Sequence, residues 1–293
     1  MKQMPRTDLA AEVRDILREA SANEISGVEF SEEKYNGINY HILELLTDEA
    51  SEKMGKPKGV YCSVEIEPVM RRDSDIFPSA VQAAASLIRR FMPENSPSTV
   101  LVAGLGNRSI TPDAVGPLAT DATLVTRHLK QFMPRDFAAF RDVAVITPGV
   151  LGTTGIESAV YIKSICDAMH PDWVIVIDAL AAGGMDRLCR TLQITNTGIT
   201  PGSGVGNSRN AINTETLGVP VVAVGVPTVV DLRSLLPDSV EALPTLENGG
   251  GEMIVTPRGI DSQVACIGRV IGYAVNLALH DGITISDIDL LLG

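Results

Sequence analysis

Two short runs, Val100-Leu-Val-Ala103 and Val174-Ile-Val-Ile177, have no polar side. A strand with one face in water alternates in polarity. These do not, so each reads as a strand covered on both faces, as in a parallel sheet with helices above and below. That confines the chain to an α/β architecture, a mixed, mostly parallel sheet flanked by helices. Each run gives way to a segment of small residues that carries an aspartate. Asp113 lies on the loop leaving the first run, and Asp178 closes the second, just ahead of Ala179-Leu-Ala-Ala182. In open α/β sheets, ligands bind beyond the carboxyl ends of the strands. Two carboxyls able to converge there make acid/base chemistry the first functional expectation.

Around this centre the pattern predicts further elements. Leu9, Val13, Ile16 and Leu17 follow helical spacing behind Thr7, a favoured cap type. Ser21 to Asn36 is polar and reads as loop. Strands are expected over 38–46 and 59–67, with a turn and short helix between them, and a helix over 77–91. After the breaker run Met92-Pro-Glu-Asn-Ser-Pro-Ser98, the doubly wound part begins. It runs as strand 99–104, helix 113–129, strand 143–147, helix 156–169 and strand 173–178. Strands 192–195 and 220–226, a mobile loop over 239–251 and a long buried helix over 260–279 complete the expectation.

A net charge of -12 argues against a nucleic-acid backbone as direct partner, because phosphate binding wants a basic surface. Cys62, Cys166, Cys189 and Cys266 form no CxxC or other close ligand pair, so a reduced cytoplasmic chain is the simplest reading. The start lacks the apolar stretch of a signal peptide. No run is read as reaching the ~20 apolar residues that span a bilayer, so no membrane partner is expected.

Other motifs fail on spacing. Gly104-Leu-Gly-Asn-Arg108 would need Gly at 109 to make GxGxxG, and Ser109 stands there. His41, His128, His170 and His280 form no HxxxH, so no metal and no cofactor is expected and all four are assigned structural roles; His170 and His280 fall near helix C-termini, where an imidazolium is favourable. No GxSxG is present. Taken alone, Asp113 is explained as well by a helix N-cap as by catalysis. Asp178 is harder to explain away, since a carboxylate ending a buried strand must be paired, hydrogen-bonded or protonated. Thr154 and Glu157 have the spacing of a capping box, and the Gly202–Arg209 loop either shapes a peptide site or is ordinary turn chemistry. Asn107 and Arg108 are the candidates for an oxyanion or substrate contact.

Four segments together carry a resemblance. They are Gly104-Leu-Gly-Asn-Arg-Ser-Ile-Thr-Pro-Asp-Ala-Val-Gly-Pro117, Thr147-Pro-Gly-Val-Leu-Gly-Thr-Thr-Gly-Ile-Glu157, Val176-Ile-Asp-Ala-Leu-Ala-Ala182 and Pro201-Gly-Ser-Gly-Val-Gly-Asn-Ser-Arg209. In this order they resemble germination protease, the spore endopeptidase of spore-forming Firmicutes, and the likeness runs from Arg6 to His280. The resemblance implies an atypical aspartic-type endopeptidase that degrades small acid-soluble spore proteins, with Asp113 and Asp178 matching the essential aspartates. It also implies a homotetramer in the forespore or spore core and a fold resembling that of hydrogenase maturation peptidases. The resemblance further implies a self-processing zymogen cut at Asp8-Leu9, which divides the chain into a propeptide, 1–8, and a single peptidase domain, 9–293. Two alternatives remain at this point: a maturation-type metallopeptidase, against which the lack of a histidine in an equivalent loop argues, and a non-catalytic peptide-binding regulator.

Overall fold

The computed structural model describes residues 6–21, 25–70, 76–92, 99–206, 209–235 and 253–293. The first part of the chain forms α1 (Ala10–Ser21), the hairpin β1 (Val28–Tyr35) and β2 (Ile38–Leu45), α2 (Asp48–Met54), β3 (Gly59–Glu65), α3 (Glu67–Met70) and α4 (Phe77–Arg89). Next come β4 (Thr99–Leu105), α5 (Val115–Asp121), α6 (Arg127–Phe132), β5 (Asp142–Gly149), α7 (Leu151–Thr154), α8 (Ser158–Met169) and β6 (Trp173–Ala182). The last part holds β7 (Thr191–Thr195), α9 (Thr214–Leu217), β8 (Val221–Asp231), α10 (Leu232–Leu235), β9 (Ile254–Val255), α11 (Ile260–Leu279) and α12 (Ile285–Leu292).

One mixed sheet runs β1-β2-β3-β7-β8-β6-β4-β5, with β9 added to β8. Its parallel half, β8-β6-β4-β5, carries the two apolar runs at its centre as β4 and β6. The remaining strands extend it in antiparallel fashion through β7. From β4 the chain moves outward to β5, then crosses back to β6 on the other side of β4. Strand order therefore reverses between β4 and β6, and a crevice opens at their carboxyl ends.

Alternate residues of these strands feed two cores. Val100, Val102, Ile175, Ile177, Val222 and Val224 pack with α4, α5 and α11 on one face. Leu101, Ala103, Val174, Val176 and Val221 pack with Ala159, Ile162 and Cys166 of α8 on the other. Full burial of each such side chain stabilises by about 1.5–3 kcal/mol, which is why the runs Val100–Ala103 and Val174–Ile177 hold no polar position.

The hairpin corrects the loop expected over 21–36. Its turn is Asn36-Gly37, both residues at positive φ (45° and 88°), the backbone that joins two strands tightly. β1 is exposed along most of both faces, so its strand character comes from the ladder with β2. The helix expected over 113–129 is broken instead. Asn276 of α11 accepts the Leu124 N–H (2.8 Å) and donates to the Ala122 carbonyl (2.9 Å), taking over the groups that would continue α5.

α11 has the expected bounds. Contrary to expectation, it is long and apolar enough to cross a bilayer by length and composition, but its apolar surface packs on α4 and α5. The expected loop over 239–251 lies outside the described residues.

His280, just past α11, does not carry the charge anticipated at a helix C-terminus. It is 1% exposed, and burial first, then Arg141 and Lys130, hold its pKa down to about 4. Its Nδ1 accepts the Arg141 N–H at 3.3 Å, and its ring lies against Phe140. The folded state thus keeps it neutral while the unfolded chain protonates it near 6.5. Stability is present above pH 6.5 and is lost as pH falls toward 4, by up to about 3 kcal/mol. Denaturant melts at pH 7 and pH 4.5 should show this loss reduced in His280→Gln; an equal acid loss in both proteins removes His280 as its source.

Candidate active site

Asp113 reaches the crevice because backbone, not side chain, fills the contact between β4, β6 and α5. A Cβ built on Gly116 would lie 2.2 Å from the Leu105 carbonyl oxygen and 2.7 Å from that of Ile177, so only glycine lets the start of α5 rest on both strand ends. Gly106 sits at φ 110°, with its missing Cβ aimed at the Asp113 carbonyl oxygen (1.9 Å). The glycines of Gly104-Leu-Gly106 and Val115-Gly-Pro117 therefore serve close approach, and the loop folds back on itself. Within it the Asn107 N–H donates to Asp113 Oδ2 at 2.7 Å. The Asp113 carboxylate makes no cap at α5, which has no side-chain cap bond. From β8, the wholly buried Thr228 donates its hydroxyl to the Pro112 carbonyl at 2.7 Å, and Thr111 donates to Asp261 of α11 at 2.8 Å.

Asp178 is not the last residue of its strand. β6 runs on to Ala182, and the small residues after Asp178 are strand residues, not loop. What ends at Asp178 is the pairing with β4, whose last partners are Gly104 and Ile177; beyond it β6 keeps only β8 in its ladder. Alternation places Asp178 with Val174 and Val176, on the face covered by α8.

Both aspartates line one cleft of about 400 Å³. Around them stand Ile110 and Pro112, Val150 to Gly152, Glu157 to Ala159, Ala179 to Ala181, Val229 of β8 and Ile254 of β9. The walls are largely apolar and the charged groups few, the composition of a binding pocket. Asp178 is 5% exposed. Burial pushes its carboxyl well above the ordinary range; the Asp113 charge adds to this, the Ala179 N–H opposes it, and Asp8 contributes further in the upward direction. Asp113 is also raised by burial, offset in part by the Asn107 N–H. Two carboxyls whose surroundings push their titrations apart are the usual arrangement for paired acid and base roles.

The other sequence candidates separate. Asn107 contributes its main chain to Asp113, while its side-chain oxygen accepts from the Ser109 N–H. Arg108 turns away into a two-bond ion pair with Asp121 (2.6 and 2.8 Å) and does not line the cleft. Among the described residues the cation that does is Arg209, 3.8 Å from Glu157, so the pair joins the Gly-rich loop to the β5–α8 connection across the cleft. Glu157 therefore faces the site and makes no capping box with Thr154, whose hydroxyl accepts the Ile156 N–H. Arg209→Ala is expected to raise KM by about fivefold or more, whereas Arg108→Ala stays within about twofold, since a loosely paired rim cation is worth roughly 1 kcal/mol. Steady-state kinetics of both variants check this, and the reverse order would return Arg108 to the site.

Asp8 and Leu9 come to the same place. The Asp8 N–H donates to the Ala181 carbonyl, the Ala181 N–H donates to Asp8 Oδ2 (both 2.9 Å), and Ser203 Oγ donates to Asp8 Oδ1 at 2.6 Å. Gln193, buried on β7, donates to the Asp8 carbonyl (3.2 Å) and accepts the Ala10 N–H (2.8 Å). Lys56 donates to the Thr7 carbonyl, and Leu9 is 1% exposed. A second cavity of about 310 Å³ meets the first at Asp8 and Leu180. Sequence reasoning marked the Gly202–Arg209 loop as able to shape the site without choosing Ser203 or Arg209 from it, and it missed Gln193 and Thr228. The one usable signal was polarity in apolar runs, namely Gln193 within Leu192-Gln-Ile194 and Thr228 within Val226-Pro-Thr-Val229.

A family model described as germination protease matches residues 6–247. A germination protease of Caldanaerobacter subterraneus subsp. tengcongensis is 40% identical over 319 residues, covering 98% of each chain. One from Clostridium perfringens is 37% identical, also over 98% of each, and one from Bacillus cereus is 42% identical over 86% of this chain and 70% of that protein. Among solved structures, the [NiFe] hydrogenase maturation protease HycI from Thermococcus kodakarensis KOD1 aligns at a TM-score of 0.37 and 17% identity, over 64% of this chain and 98% of that one. With matched sequence running through the segments that carry Asp113 and Asp178 and the cleft they line, the chain belongs to the germination protease family, proteases of spore germination.

Proposed function

We propose that the chain is an endopeptidase that hydrolyses small acid-soluble spore proteins through the carboxyl pair Asp113 and Asp178. The observation that carries this is their shared cleft, in which burial and the Asp113 charge push the Asp178 carboxyl well above its ordinary range. Two such groups do not both ionise cheaply, so their titrations split. Asp113, more exposed and stabilised by the Asn107 N–H, is the ionised member and takes a proton from the attacking water. Asp178 is the protonated member; it polarises the scissile carbonyl and then protonates the leaving amine. The products are a new carboxylate and a new amine, and the pair returns to its starting state by proton exchange with water.

The resemblance to germination protease supports the finer reading. The protein is made as a zymogen, cuts itself at Asp8-Leu9, works as a homotetramer and acts in the spore core. The position of Asp8 on the wall of the cleft favours self-cleavage within reach of the pair.

The test is incubation of the purified full chain with a small acid-soluble spore protein. Mass spectrometry follows both substrate fragments and the enzyme's own N-terminus, and light scattering gives the mass. Fragments, a mature chain beginning at Leu9 and a four-chain mass are expected. Tight binding without cleavage would replace the enzyme by a peptide-binding regulator, and cleavage that stops on chelation and returns with added metal would make it a metallopeptidase.

A further inference from the structure

The nitrogen of the Asp8-Leu9 bond is linked to a buried carboxyl through one hydroxyl. The Leu9 N–H donates to Thr7 Oγ1 at 3.1 Å, and that hydroxyl donates to Glu12 Oε2 at 2.5 Å. Glu12 is 8% exposed. The same Oε2 accepts the Gly183 N–H at 2.9 Å, on the turn that leaves β6 five residues after Asp178. Glu12 thus stands between the bond to be cut and the strand that holds the catalytic acid.

The surroundings limit how it can be satisfied. Asp186 lies near enough to repel it, and the Gly183 and Gly184 N–H groups oppose that. Lys56, a nearby cation, is bound to the Thr7 carbonyl and loses that partner on cleavage, which makes it the competitor for Glu12. Arg187 is occupied by Asp15 at 3.0 Å. Thr7 and Asp8 belong to the segment that leaves on cleavage, and with Thr7 goes one of the two hydrogen bonds made to Glu12 Oε2. A buried carboxylate that loses a partner costs several kcal/mol unless another cation or donor replaces it.

Cleavage makes that cation on the spot. Water adds across the amide: its oxygen goes to the Asp8 carbonyl carbon, which becomes a carboxylate, and the nitrogen stays with Leu9 and is protonated to an α-ammonium. Leu9 itself is held, since its side chain is buried, its carbonyl accepts the Val13 N–H at 3.2 Å, and the next residue's N–H is bound to Gln193. The new ammonium therefore appears within two hydrogen-bond lengths of Glu12, facing the space the Thr7 hydroxyl has left.

We propose that cleavage at Asp8-Leu9 exchanges the Thr7 hydroxyl for the Leu9 α-ammonium as the partner of Glu12, and that this ion pair, through Gly183, positions the turn behind Asp178 for catalysis. Glu12 is then a positioning residue, and the N-terminus is part of the mature enzyme's machinery. The inference rests on self-processing at this bond, so the experiment separates the two.

The full chain is allowed to process itself. In parallel, a full chain with a site-specific protease sequence placed over residues 2–8 is cut in trans to leave Leu9 first. Acylation of the Leu9 α-amine is followed by mass spectrometry at pH 7.5 in wild type, Glu12→Gln and Glu12→Asp. Wild type should react at least tenfold more slowly than Glu12→Gln, with Glu12→Asp, which keeps the charge at shorter reach, between them. Once Leu9 is carbamylated, kcat should fall at least tenfold with KM within about twofold, the pattern of a group that acts only through positioning. Should Glu12→Gln fail to fold, the Glu12→Asp comparison decides alone. Equal α-amine reactivity in all three proteins overturns the proposal, as does protection that depends on Lys56 (lost in Lys56→Met) and not on Glu12. Absence of self-cleavage with a protected α-amine in the trans-cut chain would sink self-processing and leave the ion pair standing.

Discussion

Asp178→Asn is expected to fold and assemble, to melt a few degrees above wild type, and to cleave substrate at least about a hundredfold more slowly, the scale of an acid/base group. The two effects share one cause. Asp178 is buried, and its folded pKa lies above its unfolded value of 3.8. Such a carboxyl contributes stability at low pH that is lost as pH rises through the folded pKa, so at neutral pH its burial works against the fold. An amide of the same shape removes that cost, worth about 1 kcal/mol, together with the proton that catalysis needs. Asp113→Asn should lose activity to a similar degree, while its amide oxygen can still accept the Asn107 N–H. The pH profile adds a check. Wild-type kcat should fall on the acid side as Asp113 takes up a proton and on the alkaline side as Asp178 loses its own; the residual activity of Asp178→Asn should lack the alkaline limb. Turnover near wild type in either variant removes that residue from the mechanism.

Gly116→Ala is expected to be a severely damaging single-residue change near the site. The added Cβ would meet only backbone, Leu105 N at 2.5 Å and the carbonyl oxygens of Leu105 and Ile177 still closer or nearly so. No side chain can rotate away, so β4, β6 or the start of α5 must shift. A loss of about 3 kcal/mol is expected, the upper range for overpacking. The shift also separates Asp113 from Asp178, so activity should fall at least about a hundredfold even at temperatures where the variant is folded. Urea melts and kinetics at 15 °C test both parts. A variant that melts within about 2 °C of wild type would mean that the loop yields, and that close approach does not hold Asp113 in place.

Much of this was written in local sequence. Unbroken apolar runs marked β4 and β6, a segment apolar on most faces marked α11 with its bounds, and the places of Asp113 and Asp178 just after the two runs put both on one cleft. What could not be read depends on partners far along the chain. Asn276 interrupts α5 from more than 150 residues away. Gln193 meets Ala10 across a separation of 183, and Ser203 meets Asp8 across 195. Arg108 was drawn off the site by Asp121, only 13 residues on, yet nothing in the sequence chooses between that partner and the cleft. β1 escaped because a two-sided polar strand has no apolar period; its one local sign was Asn36-Gly37.

The extension of β6 past its β4 partner has a consequence for exchange of amide protons with solvent. Amides from Val174 to Ile177 lie between two strands and should exchange only on global opening. The Ala181 and Gly183 amides have acceptors that both belong to the N-terminal segment, Asp8 and Glu12. Undocking of that segment should therefore label these two amides together while their neighbours a few residues upstream stay dark. The strand that carries Asp178 is thus also a built-in reporter, whose far end records in deuterium whether Asp8 and Glu12 are still in place.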